Sequence, residues 1–167
     1  KARVEELSPV VGLFKIGKES YTRFGPAVIE LVHAYGAEVF LDLKYHDIPN
    51  TVRGAAAAAA ELGVYMFNVH ASGGKEMMAA AVEGARSVGK RMPKIIAVTI
   101  LTSIDASVMN DEVGIPGTVE DEVLKLALLT KEAGLDGVVC SAADLSAIKS
   151  SLPEDFLFVT PGIKGPK

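Results

Sequence analysis

Short β-rich apolar runs alternate with helical segments along this chain, and each pair repeats after about 25–30 residues. The runs are Val10–Ile16, Glu38–Lys44, Tyr65–Ala71, Lys94–Leu101, Asp136–Ser141 and Phe156–Thr160. Helices are predicted over Lys1–Leu7, Tyr21–Tyr35, Asn50–Leu62, Gly73–Val88, Val119–Ala133 and Ala143–Ser150, with Gly36, Gly63 and Gly134 as stops. Strands alternating with helices pair in parallel, because the intervening helix carries the chain back to the starting edge. Runs without polar alternation fit a sheet covered on both faces. Thr102–Thr118 reads as a long loop with room for one helical turn, a length typical of lids and binding loops.

Polar residues collect at or just beyond the strand ends: Lys15, Asp42 and Lys44, His70, Thr102 and Ser103, Thr160. They follow nearly every strand. A doubly wound sheet gathers its ligand groups at one switch point, whereas a (β/α)₈ TIM barrel uses its whole C-terminal rim. The barrel is therefore the expected fold, in the α/β class. About six strands are visible, where a barrel needs eight and typically about 250 residues. Residues 1–167 read as a single barrel domain incomplete at both ends, with the first and last strands outside this chain.

The composition narrows the partners. Net charge is −4 and the pI about 5.4, so no basic field for nucleic acid exists. No uncharged apolar run reaches membrane-spanning length, and no signal peptide opens the chain, so neither nucleic acid nor membrane is an expected partner. The one cysteine, Cys140, has no internal disulfide partner and reads as a packing thiol in a reducing, cytoplasmic setting. Three histidines and one cysteine show no zinc spacing, and His33 and His46 carry no signal. Gly12–Glu19 (GLFKIGKE) nearly matches a P-loop, but Glu19 stands where the hydroxyl is needed and the loop positions are an apolar strand. No GxSxG is present.

The densest chemistry is Leu41–Val52 (LDLKYHDIPNTV), where Asp42, Lys44, His46 and Asp47 follow a buried run. Asp42 and Lys44 are two apart on a strand and share one side of the sheet. Nearby carboxylates favour the proton-bearing form of a lysine, which can then donate. An ionised aspartate repels an anionic substrate, and loss of the substrate's charge relieves that repulsion. Lys15 occupies the equivalent place on the preceding strand. Strand spacing does not bring Asp47 into the same site. The plain alternative is a salt-bridged strand end. His70 is either a substrate contact or a hydrogen-bonded structural histidine.

Asp42–Val52 resembles the DxKxxDIPNTV signature of the orotidine 5′-phosphate decarboxylase family. Phe14–Glu19, Val69–Gly74, Val98–Ser103, Gly137–Ser141 and Thr160–Ile163 resemble the family's other strands in the right order. The resemblance implies a (β/α)₈ barrel, a homodimer, and conversion of orotidine 5′-monophosphate to uridine 5′-monophosphate in pyrimidine biosynthesis, with no cofactor or metal. It gives Lys44 the proton donated to C6, and sets Asp42 against the substrate carboxylate. Lys15 would bond Asp42 and the ribose. Asp47 and Thr51, with Ile48 nearby, would enter the partner subunit's site. Thr102 and Ser103 would contact the base, and Pro161 would line the pocket. Lys164 stands where the family usually has an arginine, and lacks its bidentate fork. The family's ribose-contacting aspartate would precede Lys1, and its glutamine and arginine phosphate contacts would follow Lys167. Two other readings remain. One is a magnesium-dependent hexulose-phosphate synthase-like aldolase, which shares DxKxxD but not the following IPNTV. The other is a non-catalytic nucleotide-binding domain.

Overall fold

The structure, a computed structural model, describes residues 1–163. Six strands form one parallel sheet in chain order: β1 (Leu13–Gly17), β2 (Glu38–Tyr45), β3 (Met66–His70), β4 (Lys94–Val98), β5 (Gly137–Val139) and β6 (Leu157–Val159). The helices are α1 (Ala2–Leu7), α2 (Lys18–Phe24), α3 (Ala27–Ala34), α4 (Pro49–Glu61), α5 (Gly74–Ser87), α6 (Val119–Glu132) and α7 (Leu145–Ile148). Among the described residues the strand order never reverses and there is no switch point, and the sheet is the curled arc of a TIM barrel. No helix among the described residues is long and apolar enough to cross a membrane.

The two-residue strand period sorts the side chains into two layers. Val39, Leu41, Phe67, Val69, Ile95 and Ala97 pack outward with the helix residues Ile29, Val32, Ala56, Met77 and Met78. Phe40, Met66 and Ile96 instead pack inward with Val139, Leu157 and Val159. The same alternation carries the inward rows up to the polar residues at the strand ends.

The alanine run of α4 has a packing purpose beyond helix propensity. Val52, Ala56, Ala59 and Ala60 form its buried face. α5 lies so close that a Cβ on Gly84 would stand 2.1 Å from the Arg53 carbonyl oxygen. That atom is backbone and cannot rotate away. Gly84→Ala is therefore expected to force the helices apart and lower the unfolding free energy by about 1–3 kcal/mol. Urea titration measures this, and an unchanged midpoint would contradict the close approach.

β4 ends at Val98 rather than Leu101, and β5 spans only Gly137–Val139 of the expected Asp136–Ser141. Three further differences from the sequence reading have a clear local cause. The helix expected over Tyr21–Tyr35 is two helices. Gly25 adopts φ +58° and Pro26 has no N–H to continue the ladder, so α2 stops there and α3 starts afresh. The first strand begins at Leu13 rather than Val10, because the Val10 and Val11 N–H groups both bond to the Leu7 carbonyl as a turn closing α1. The helix expected over Ala143–Ser150 shrinks to α7 and one 3₁₀ turn, Lys149–Ser151. Ser141 and Asp144 exchange side-chain-to-backbone bonds of 3.0 and 3.2 Å ahead of it, holding that stretch as a turn. The long loop contains a single π-helical turn, Val108–Glu112, anchored by the buried Met109. Asn110 ties that turn to Gly117, accepting its N–H at 3.0 Å and donating to its carbonyl at 3.2 Å. Thr118 then caps α6 by accepting the Asp121 N–H at 3.1 Å.

Candidate active site

Three neighbouring strands bring inward positions from their C-terminal halves together. β1 and β2 pair with Lys15 opposite Phe40 and Gly17 opposite Asp42, which sets Lys15 one inward step before Asp42. Lys15 Nζ lies 3.0 Å from Asp42 Oδ2, and Lys44 Nζ lies 2.5 Å from Asp42 Oδ1. From β3, Asn68 donates its Nδ2–H to the same Oδ1 at 2.7 Å. The carboxylate of Asp42 is thus gripped from three sides.

Lys44 reaches this position through an irregular backbone. Leu41 pairs with Phe67 and Tyr45 with Val69, so four steps along β2 match two along β3. Such a bulge re-aims a side chain near a site. Lys44 has φ +52°, the one non-glycine residue with positive φ among the described residues. That conformation costs a residue with a Cβ about 1–2 kcal/mol. The Lys44 N–H, taken out of the ladder, is accepted by Asn68 Oδ1 at 2.8 Å.

The charges set the chemistry. Partial burial works against the charged form of Asp42, but bonds from Lys44, Asn68 and Lys15, with the Lys15 charge, outweigh it and hold the carboxyl at about 2. Asp42 is thus an anion at neutral pH. Two ammonium groups share this one carboxylate, which leaves the cluster net positive and attractive to an anionic ligand. Burial, then the neighbouring His46, Lys18 and Lys44, pushes His70 down to about 4 against a smaller pull from Asp42. The ring is therefore neutral at pH 7.

The cluster opens into a cavity of about 230 Å³. Phe40, Val98, Ile100, Leu101, Val139 and Val159 supply its apolar walls, and Thr102 and Pro161 reach it from the rim. A partly apolar ligand with an anionic group suits such a lining, with its charge toward the lysines.

Of the residues singled out in the sequence, Lys15, Asp42, Lys44, Thr102 and Pro161 meet here. Ser103 is exposed and is not among the lining residues. Asp47, Ile48 and Thr51 also stand outside this chain's cavity. Asp47 accepts the Ile48 N–H at 2.7 Å, and Ile48 is 66% exposed. His70 sits at the rim against His46, with ring centroids 5.7 Å apart, and does not line the cavity. Lys164 lies outside the described residues. Cys140 is buried, and desolvation, then Asp144, raises its thiol to about 11, as befits an inert packing thiol. Among the described residues, no group of three or more His, Cys, Asp or Glu side chains is placed to hold a metal ion.

Sequence reasoning passed over Asn68. Its signal was present: a carboxamide at an inward position of a buried strand, two residues before His70.

Residues 1–166 match the family described as "Orotidine 5′-phosphate decarboxylase / HUMPS family". The orotidine 5′-phosphate decarboxylase of Moorella thermoacetica is 50% identical over 165 residues, covering 96% of this chain and 66% of that protein. The enzyme of the same name from Vibrio cholerae is 52% identical over 163 residues, covering 98% of this chain and 70% of that protein. The crystal structure of orotidine 5′-phosphate decarboxylase from Lactobacillus acidophilus superposes with a TM-score of 0.89 at 38% identity, covering 98% of this chain and 77% of that one. The chain thus spans about two thirds of the length of the curated relatives it matches.

Proposed function

The chain belongs to the orotidine 5′-phosphate decarboxylase / HUMPS family, and on that premise we propose that the protein decarboxylates orotidine 5′-monophosphate to uridine 5′-monophosphate in the cytoplasm, as a homodimer. The observation that carries this reading is the Lys15–Asp42–Lys44 cluster at the mouth of a cavity with apolar walls.

The substrate carboxylate sits against ionised Asp42, and the repulsion raises the ground state. The C6–carboxylate bond breaks, carbon dioxide leaves, and the electron pair remains at C6. Lys44 stabilises that developing charge with its ammonium and delivers a proton to C6, then recovers a proton from solvent. Lys15 holds Asp42 in place and meets the ribose. Binding of the remote phosphate supplies energy that is realised in the transition state. Thr102 contacts the base and Pro161 closes the pocket edge. Asp47 and Thr51, with Ile48, complete the site of the partner subunit, which accounts for their place outside their own chain's cavity.

The test is the fall in orotidine 5′-monophosphate absorbance with full-length protein, with and without EDTA. Turnover that is equal in both is the expected result. No fall in that absorbance, together with magnesium-dependent aldol chemistry on a hexulose phosphate, would favour a hexulose-phosphate synthase-like aldolase, and nucleotide binding without turnover would favour a non-catalytic domain.

A further inference from the structure

Asn68 has no role in the bond-breaking steps proposed above, yet it lines the cavity, both ends of its carboxamide are engaged at the heart of the cluster and it is 1% exposed. Oδ1 accepts the Lys44 N–H and Nδ2 donates to Asp42 Oδ1. A backbone N–H can only donate and the ionised carboxylate only accepts, so one orientation of the amide serves both. It sits where the β2 bulge separates from β3, between the Leu41–Phe67 and Tyr45–Val69 pairings. The side chain replaces the ladder bond that the bulge removes.

We propose that Asn68 is a positioning residue for the Lys44 ammonium. It holds Lys44 in its left-handed conformation and fixes the carboxylate to which the ammonium is bound, so that the nitrogen faces the reacting carbon. This rests on the decarboxylation reading. Few side chains can replace it. Leucine would strand a buried N–H. Serine is too short to span both contacts. Aspartate keeps the acceptor for the Lys44 N–H but turns a second anion toward Asp42.

The experiment measures kcat and KM for orotidine 5′-monophosphate across pH, with thermal melts, for full-length wild type, Asn68→Ala and Asn68→Asp. Asn68→Ala is expected to lower kcat by about 10²-fold, the scale of a small misplacement of a reacting group, with KM nearly unchanged. Asn68→Asp is expected to be slow at neutral pH. One shared proton would restore a donor to Asp42, so its kcat relative to wild type should rise as pH falls. The other titratable groups at this corner are Lys15, Lys18, Lys44, His46 and His70, which wild type shares, so only the added limb is diagnostic. A purely architectural Asn68 would lower the melting temperature without reshaping the pH profile. Variants within about threefold of wild-type kcat, or an Asn68→Asp profile that overlays the wild type, overturn the proposal. If Asn68→Ala does not fold, the isosteric Asn68→Asp decides alone. Inactive wild type would instead overturn the decarboxylation reading, and this proposal with it.

Discussion

Lys44→Ala and Lys44→Gly are expected to lose decarboxylation equally, by roughly 10⁴-fold or more in kcat, yet to differ in stability by about 1 kcal/mol in favour of glycine. Both remove the ammonium 2.5 Å from Asp42, and with it the proposed proton source and the charge proposed to stabilise C6. The loss should appear in kcat, since the interaction strengthens as the bond breaks. The stability difference comes from the backbone. At φ +52° alanine keeps the Cβ clash that glycine avoids. Steady-state assays and urea titrations of the two variants side by side separate the effects. Near-normal turnover in either variant would remove Lys44 from the chemistry. Equal stabilities would show that the bulge carries no strain at this residue. The strain makes sense as part of the site: a regular strand would have kept the Lys44 N–H in the β3 ladder, whereas here it is freed for Asn68.

The layout of the barrel was legible in the sequence because it follows from two periodicities. Apolar runs of strand length, separated by helices with glycine stops, fix parallel neighbours in chain order, and that order is observed. The pairing of Asp42 with Lys44 on one side of β2 was legible for the same reason. The route to it was not. Strand spacing assumes a regular ladder, and the bulge at Asp42–Lys44 depends on a tertiary contact from Asn68, twenty-six residues on from Asp42. Local propensity contains no trace of such a contact. Helix ends failed where single residues overrule a periodic pattern, as Gly25–Pro26 does by breaking one predicted helix into two. The apolar cavity walls were also hidden. Phe40, Val98, Val139 and Val159 look like any core residues until the curl of the sheet turns them toward one space.

Mixing two inactive variants should restore activity if the site is built from both subunits. Asp47 stands exposed beyond the end of β2, bonded to the backbone of its own loop, beside an Ile48 that is largely open to solvent. In the proposed homodimer this loop reaches the cavity of the partner. On this proposal, Lys44→Ala removes the proton donor from a chain's own site, and Asp47→Ala removes a carboxylate from the other site. Each homodimer then has two defective sites. A heterodimer of the two variants gathers both lesions into one site and leaves the other intact. Random assortment makes half of the dimers heterodimers, so the mixture should reach about a quarter of wild-type activity per site. Co-expression with two affinity tags, purification of the doubly tagged species and the absorbance assay would read this directly. The doubly tagged dimer alone should reach about half of wild type. Activity no higher than that of either parent, in a verified heterodimer, would mean that Asp47 acts within its own chain or has no part in turnover. That outcome would leave the Lys15–Asp42–Lys44 cluster as the whole of the charged machinery.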